Sequence, residues 1–416
     1  MNFVEVGQYF KHRYYDENLI KFLSCKYCNL EETIFTLDHA SENEKLKELF
    51  KVTMEIKKDM NAFELKKKKK LNARVAHYKK TYSSIELQLK LMNRIAERET
   101  NWIVYPLLHV ASGLLKVTLE LSKRLRTPEF NESCGRSIHR CFTICLNDRN
   151  PKLNENKKIG IYVFANLEFK IYHELNNMDM VRNLIKVLKS RDSGNEIPSL
   201  RESLAIKYNS NIVTFNYFMG KYYTCVENDF TQGYKYLMDA LLECTVRDKK
   251  QINKILVLLI PCAIISRKVY PNFETVERFQ KDDVIPKLYK PIVECLLNGN
   301  LDKFEKVINN ETVEIFILKN GLYVAINLIR ELVFLKLIKT AVMQIENKAV
   351  VSLRYIATAY KKSLHLQNTD EESLLNELEC LLANLISKKL VKGYLSHSNR
   401  CIVLSKAEPF PKQVLA

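Results

Sequence analysis

Apolar residues recur at helical spacing along most of the chain. Leu19, Ile20, Phe22 and Leu23, then Leu46, Leu49 and Phe50, mark short helical patterns in the first sixty residues. Residues 51–99 hold neither Gly nor Pro and predict one long helix, whose apolar face returns at Ile85, Leu89, Met92 and Ile95. Asn101–Leu125 predicts the next helix, with Pro106 in its first turn, where a missing N–H costs little. Thr127-Pro128 ends it. Ser137–Leu146 is short and apolar on one side, and a polar loop follows at 147–151. Ile159–Leu175 and Met180–Leu188 read as an antiparallel pair joined at Asn176-Asn177.

Residues 203–245 form the clearest repeat unit. Tyr217, Met219, Gly220 and Tyr223 lie on its first helix, Asn228-Asp229-Phe230 makes the turn, and Tyr234, Leu237, Ala240 and Leu241 line the second helix. Gly220 lets the two helices approach closely. This is TPR-like logic, although one good copy fits an ordinary helical hairpin as well. Ile252–Val269, Val284–Leu297 and Leu301–Ile308 complete the array.

The last hundred residues change character. Leu322–Ile338 is apolar on nearly every side, so it should be buried on most of them. Val350–Tyr360 predicts a second helix, and Thr369-Asp-Glu-Glu372 a capping box that opens a third. The period then switches towards two. Leu390–Leu395, a polar turn at Ser396–Asn399, and Arg400–Leu404 read as a β-hairpin. Three helices and a hairpin are the order of a winged helix. The expected fold is therefore all-α: a TPR-like, right-handed superhelical repeat array ending in a winged helix with a small hairpin. Its expected parts are N-terminal repeats at 1–200, further repeats at 201–319, the winged helix at 320–408 and a tail at 409–416.

Composition sharpens this. The 416 residues include only 10 Gly and 10 Pro, and the formal net charge is +17. Residues 51–100 hold fourteen Lys or Arg against six Asp or Glu, nearly half of that excess. Such a balance suits an acidic partner, whether nucleic acid or protein. The longest apolar run, Ile255–Ile265, is too short for a bilayer and is broken by Pro261, so no membrane role is expected. Eleven scattered cysteines and no signal peptide suggest buried thiols in a reducing compartment, with the nucleus, and also the cytoplasm, as the expected location.

Helical repeats leading into a C-terminal winged helix resemble the PCI-domain family, shared by subunits of the proteasome lid, the COP-nine signalosome and a translation initiation factor. The segments Glu97-Arg-Glu-Thr-Asn-Trp102, Ile144-Cys-Leu-Asn-Asp-Arg-Asn-Pro-Lys-Leu-Asn-Glu-Asn156 and Tyr394-Leu-Ser-His-Ser-Asn-Arg-Cys-Ile402 resemble its signalosome-associated branch, from about residue 85 onward. That branch is similar to the PCI subunit of the nuclear-pore mRNA-export complex. The resemblance implies a scaffold paired with a second PCI protein, winged helix beside winged helix. It implies a small, acidic, disordered subunit shared with the proteasome lid. It also implies work in transcription elongation, splicing or mRNA export, with signalosome support of cullin deneddylation as the alternative.

An enzyme is not expected. No His-x-His pair for a zinc isopeptidase and no Walker-type phosphate loop occurs, so neither cofactor nor metal is anticipated. Cys134, His139, Cys141 and Cys145 lie along one helical stretch without paired C-x-x-C knuckles, and Cys25 and Cys28 have no second pair, which favours buried thiols and chance spacing.

The lysine run Lys66, Lys67, Lys68, Lys69 and Lys70, with Arg74, Lys79 and Lys80, fits a phosphate-contacting track, an import signal or a solvated helix face. In the winged helix the basic candidates are Arg354, Lys361, Lys362, Lys388, Lys389, Lys392, Arg400 and Lys406. The third helix carries Glu371, Glu372, Glu377 and Glu379, which phosphates would repel, so any RNA or DNA binding is expected to be weak and without sequence specificity. The expected partner contacts are Tyr217, Tyr222 and Tyr223 in the repeats, if they form an outward row, and Tyr394, His397, Asn399 and Arg400 at the wing.

Overall fold

Sequences rich in Leu, Ile, Lys and Glu favour helix locally, and each amphipathic helix needs a neighbour for its apolar face. The computed structural model describes residues 3–24, 44–64, 71–152, 155–279, 284–345, 349–367 and 370–411. It divides into two compact units, Met1–Phe215 and Asn216–Ala416.

The first unit contains α1 (Phe3–His12), α2 (Glu17–Leu23), α3 (Glu44–Glu64), α4 (Leu71–Ala96), α5 (Val104–Leu125), α6 (Glu129–Leu146), α7 (Ile161–Glu174) and α8 (Met178–Ser193). From α3 onward each helix packs on the next. The single helix expected over 51–99 is instead two helices lying against each other. Gln88 Nε2 donates to Thr53 Oγ1 at 2.9 Å and Lys80 Nζ to Asp59 Oδ1 at 2.8 Å, contacts that one continuous helix cannot make. The lysine run between them offers no apolar position for packing.

Among the described residues, one helical segment, Asn101–Leu125, is long and apolar enough to cross a membrane. Its Leu107, Val110, Leu114 and Leu121 are fully buried, and α5 packs on α4 and α6, as a core helix does. Arg126 then takes a left-handed conformation (φ +56°) and closes the helix ahead of Pro128. Asn177 caps α8 by accepting from the Met180 N–H at 3.1 Å, so the expected pair joined at Asn176-Asn177 forms.

Two lysines of this unit are buried as helix caps. Lys57 Nζ donates to the Lys21 and Ser24 carbonyls at the end of α2. Lys157 Nζ does the same for Ala96 and Glu99 at the end of α4. A cation at a helix C-terminus satisfies orphan carbonyls and the helix dipole together.

The second unit continues from the last turns of α9 (Asn209–Tyr222). It holds α10 (Phe230–Glu243), α11 (Lys249–Cys262), α12 (Phe273–Arg278), α13 (Val284–Asn298), α14 (Leu301–Ile308), α15 (Glu311–Asn320), α16 (Tyr323–Met343), β1 (Val350–Ser352), α17 (Leu353–Leu364), α18 (Glu371–Ser387), β2 (Gly393–Ser396) and β3 (Cys401–Leu404). The close approach expected at Gly220 is present: a Cβ there would lie 2.5 Å from Leu237 Cγ. Both α9 and α11 run out through a single π turn, Tyr223–Glu227 and Ala263–Arg267, closed by the left-handed residues Asn228 and Lys268.

Pro261 lies inside α11 and has no N–H to give the carbonyl of Val257, four residues back. The buried Tyr289 hydroxyl, arriving from α13, donates to that carbonyl at 2.5 Å. A helix break written into one segment is thus repaired by a side chain from another.

Helix α16 buries Ala325, Ile326, Ile329, Leu332, Val333, Phe334, Ile338 and Val342, and packs on α11, α13, α14, α15 and α17. The winged helix adds one element beyond expectation. Val350–Ser352, read as the start of a helix, is a strand, and the sheet has the antiparallel order β1-β3-β2. Three residues are too few to show a period, and β1 exists only through pairing with β3, fifty positions away. Asp370 caps α18 by accepting from the Ser373 N–H at 2.9 Å, while Thr369 lies outside the described residues.

Replacing Tyr289 by Phe leaves the Val257 carbonyl buried without its donor, and should cost about 1–3 kcal/mol of stability. In a Pro261→Ala background an ordinary backbone N–H returns, so the same Tyr289→Phe change should cost less. A double-mutant cycle from chemical denaturation measures that coupling, and additive losses would break the link between Pro261 and Tyr289.

Candidate partner-docking surface on the winged helix

The alternation of the strands sends Val351, Ile402 and Leu404 into the core. On the other face Val350, Val403 and Tyr394 stand opposite one another, one from each strand, because Val403 pairs with both Val350 and Tyr394. Val350 is 50% and Tyr394 63% exposed, so an apolar row crosses the whole sheet in contact with solvent. Gly393 permits this hairpin to close: a Cβ there would sit 2.3 Å from the Val403 carbonyl oxygen.

The turn beside this row is fastened to α18. Arg400, left-handed at φ +46°, donates to Asn376 Oδ1 at 2.8 Å and pairs with Glu379 at 2.9 Å, with Glu372 at 3.9 Å. His397 Nδ1 lies 2.7 Å from Glu379. Burial works to raise the pKa of Glu379, but its bonds to His397 and Arg400 outweigh that and hold it below the usual carboxylate value. The other acids of the helix are engaged as well: Glu371 pairs with Arg354 at 3.2 Å, and Glu377 accepts from the Tyr360 hydroxyl at 3.1 Å. The acidic third helix thus meets internal donors.

The basic candidates therefore separate. Arg354 and Arg400 serve α18, Lys388 pairs with Glu331 at 2.6 Å, and Lys392 with Glu408 at 2.6 Å. Lys361, Lys362, Lys389 and Lys406 form no ion pair among the described residues. In the first unit Lys80 is held by Asp59, while Lys79 is exposed. Lys66, Lys67, Lys68, Lys69 and Lys70, and the side chain of Arg74, lie outside the described residues, as do Cys25 and Cys28.

The outward tyrosine row does not form. Tyr222 and Tyr223 are 5% and 6% exposed, Tyr217 is half-buried, and the Tyr223 ring stacks on Tyr236 at 5.5 Å. Apolar spacing on α9 turns these rings into the core, and that spacing was the signal against an outward row. At the wing, Tyr394, His397 and Asn399 are exposed and Arg400 is half-buried. Sequence reading missed Val350 as part of this surface, because its strand was not recognised.

Cys134, Cys141 and Cys145 are fully buried. Burial pushes the Cys134 thiol up to about 12, and raises the other two as well. Cys141 donates to Asn93 Oδ1 at 3.1 Å, and His139 faces Glu168 at 3.1 Å. Their burial favours the protonated thiol, the form in which cysteine packs in a core.

Comparison with known proteins agrees with the geometry. The PCI domain model matches residues 301–406, from α14 to just past β3. The chain is 39% identical over 428 aligned positions to the Cop9 signalosome complex subunit 12 of Saccharomyces cerevisiae, covering 98% of this chain and 99% of that protein. It is 35% identical to the COP9 signalosome complex subunit 12 of Candida glabrata, covering 88% and 86%. With the Kluyveromyces lactis subunit 12 it shares 32% identity over 78% of this chain and 80% of that one. Winged helix, helical units and near full-length identity converge: the chain belongs to the family of PCI-domain proteins represented by COP9 signalosome complex subunit 12.

Proposed function

We propose that this chain is a non-catalytic structural subunit of a COP9-signalosome-type complex, and that it docks a second PCI protein through its winged helix. The observation that carries this reading is the solvent-facing row Val350–Val403–Tyr394 beside a turn fastened by Arg400. Apolar and aromatic side chains on a rigid sheet are what interface hot spots are made of. In this reading the isopeptidase chemistry belongs to another subunit, and this chain supports cullin deneddylation by holding the assembly together. A small acidic subunit and a nuclear location complete the proposal.

A second reading, adaptor work in transcription elongation, splicing or mRNA export with non-specific nucleic-acid contact, is favoured by the net charge of +17 and by the unpaired Lys361, Lys362, Lys389 and Lys406. Mass spectrometry of the native complex purified through this chain separates the two. Recovery of a zinc isopeptidase supports the first. A second PCI protein with a small acidic peptide, and no isopeptidase, supports the other.

The double change Val350→Asp and Tyr394→Asp should weaken capture of the second PCI protein at least tenfold, or about 1.4 kcal/mol. Both positions face solvent, so the circular dichroism spectrum should stay that of the wild type. Unchanged capture would remove the sheet face from the interface.

For nucleic acid the ion pairing sets a numerical expectation. If the four unpaired winged-helix lysines each neutralise one phosphate, the slope of log affinity against log salt on a single strand should be near −2.8, at about −0.7 per contact. All eight basic candidates would give about −5.6. A slope near the larger value would mean that further cations touch phosphate, either the track at 66–80 or Arg354, Lys388, Lys392 and Arg400 exchanging their carboxylates.

A further inference from the structure

Helix α7 is withdrawn from solvent along its first half: every residue from Ile161 to Phe169 is buried. Glu168 falls inside that run and is 1% exposed. A carboxylate in such a place is costly to ionise unless a cation meets it. The cation comes from α6, where His139 Nδ1 lies 3.1 Å from Glu168 Oε1. Tyr172, one turn further along α7, bonds the same carboxylate with its hydroxyl.

The two partners differ in their access to water. His139 sits at the margin of the apolar face of α6, with its ring stacked on Phe142 at 6.2 Å and its side chain 49% exposed. A proton can therefore enter and leave through the imidazole while Glu168 stays sealed. Neighbouring cations are committed elsewhere: Arg140 to Glu97, Arg124 to Glu120, Lys157 to the carbonyls at the end of α4, and Lys158 to the Glu196 carbonyl. Among the described residues, the groups that act on Glu168 are His139 and Tyr172, and the Cys141 thiol is a further titratable group beside it. No Lys or Arg takes over the carboxylate when the imidazole is neutral.

The bond to Glu168 raises the His139 pKa above 6.5, against the opposing effect of burial. Burial raises Glu168 above its own ordinary value, and the bonds to His139 and Tyr172 only partly offset this. Both shifts have one sign: the folded chain holds more protons than the unfolded one. The stabilisation is whole below the ordinary histidine value and is lost as pH rises through the raised one.

We propose that His139 and Glu168 form a proton-dependent latch between α6 and α7. While the imidazole is charged it neutralises the buried carboxylate and holds the two helices together. Loss of that proton leaves the carboxylate uncompensated, and the pair loosens. The latch goes beyond the scaffold reading and does not depend on it.

Hydrogen–deuterium exchange of the full-length chain tests this, with protection corrected for the intrinsic pH dependence of exchange. From about pH 6 to about pH 8, either side of the histidine range, protection of α6 and α7 should fall severalfold, towards the roughly tenfold that one pKa unit gives. Protection of α16 should hold steady. Glu168→Gln keeps the shape and removes the charge, so it should flatten the pH dependence. His139→Arg supplies a fixed cation and should keep α6 and α7 protected at both values, while His139→Gln should leave them poorly protected at both. If circular dichroism shows that Glu168→Gln does not fold, the two variants at the half-exposed His139 carry the test. Protection that stays flat or rises with pH in the wild type overturns the latch. An unchanged pH dependence in Glu168→Gln, or a wild-type loss of protection in His139→Arg, overturns it as well.

Discussion

A helix apolar over most of its surface has to be covered on most sides, and α16 is that helix. Burying Ile326, Ile329, Val333, Phe334 and Ile338 at once needs neighbours on several sides, and the chain supplies them from both sequence directions. α11 and α13 come from the repeat side, α17 from the winged-helix side. One apolar element therefore belongs to the repeat array and to the winged helix together, and the PCI match that begins at residue 301 starts just ahead of it.

Most elements with a strong local signal were legible in the sequence. The α7–α8 pair, the close approach at Gly220, the burial of most of the apolar face of α16 and the terminal hairpin each rest on spacing within a single segment. The misreadings share a cause: they depend on residues far apart. The break between α3 and α4 shows only in the pairing of Thr53 with Gln88. The strand β1 has no period of its own and is defined by β3. The repair of Pro261 by Tyr289 joins residues 28 positions apart through a carbonyl that no sequence pattern marks.

The surface was harder to read than the fold, because charge counting treats every lysine as free. Lys57 and Lys157 are spent inside the first unit as helix caps, and Lys80, Lys388 and Lys392 are paired with carboxylates. Arg354 and Arg400 serve the acidic α18, whose carboxylates by sequence alone would repel phosphate. Net charge describes the long-range field correctly, but it does not say which cations are available at short range. Tyr217, Tyr222 and Tyr223 show the converse: an outward row would have suited an acidic chain, while the apolar period that turns Tyr222 and Tyr223 inward is the stronger signal.

The row Val350–Val403–Tyr394 is assembled from three strands, and one of them exists only once the segment between α16 and α17 has come back to β3. No shorter stretch of chain presents all three side chains together. A partner that reads the complete row therefore discriminates by conformation as well as by chemistry. In the proposed docking, chains whose first strand has not closed would be passed over, and incorporation into the complex would proofread the fold of its own subunit.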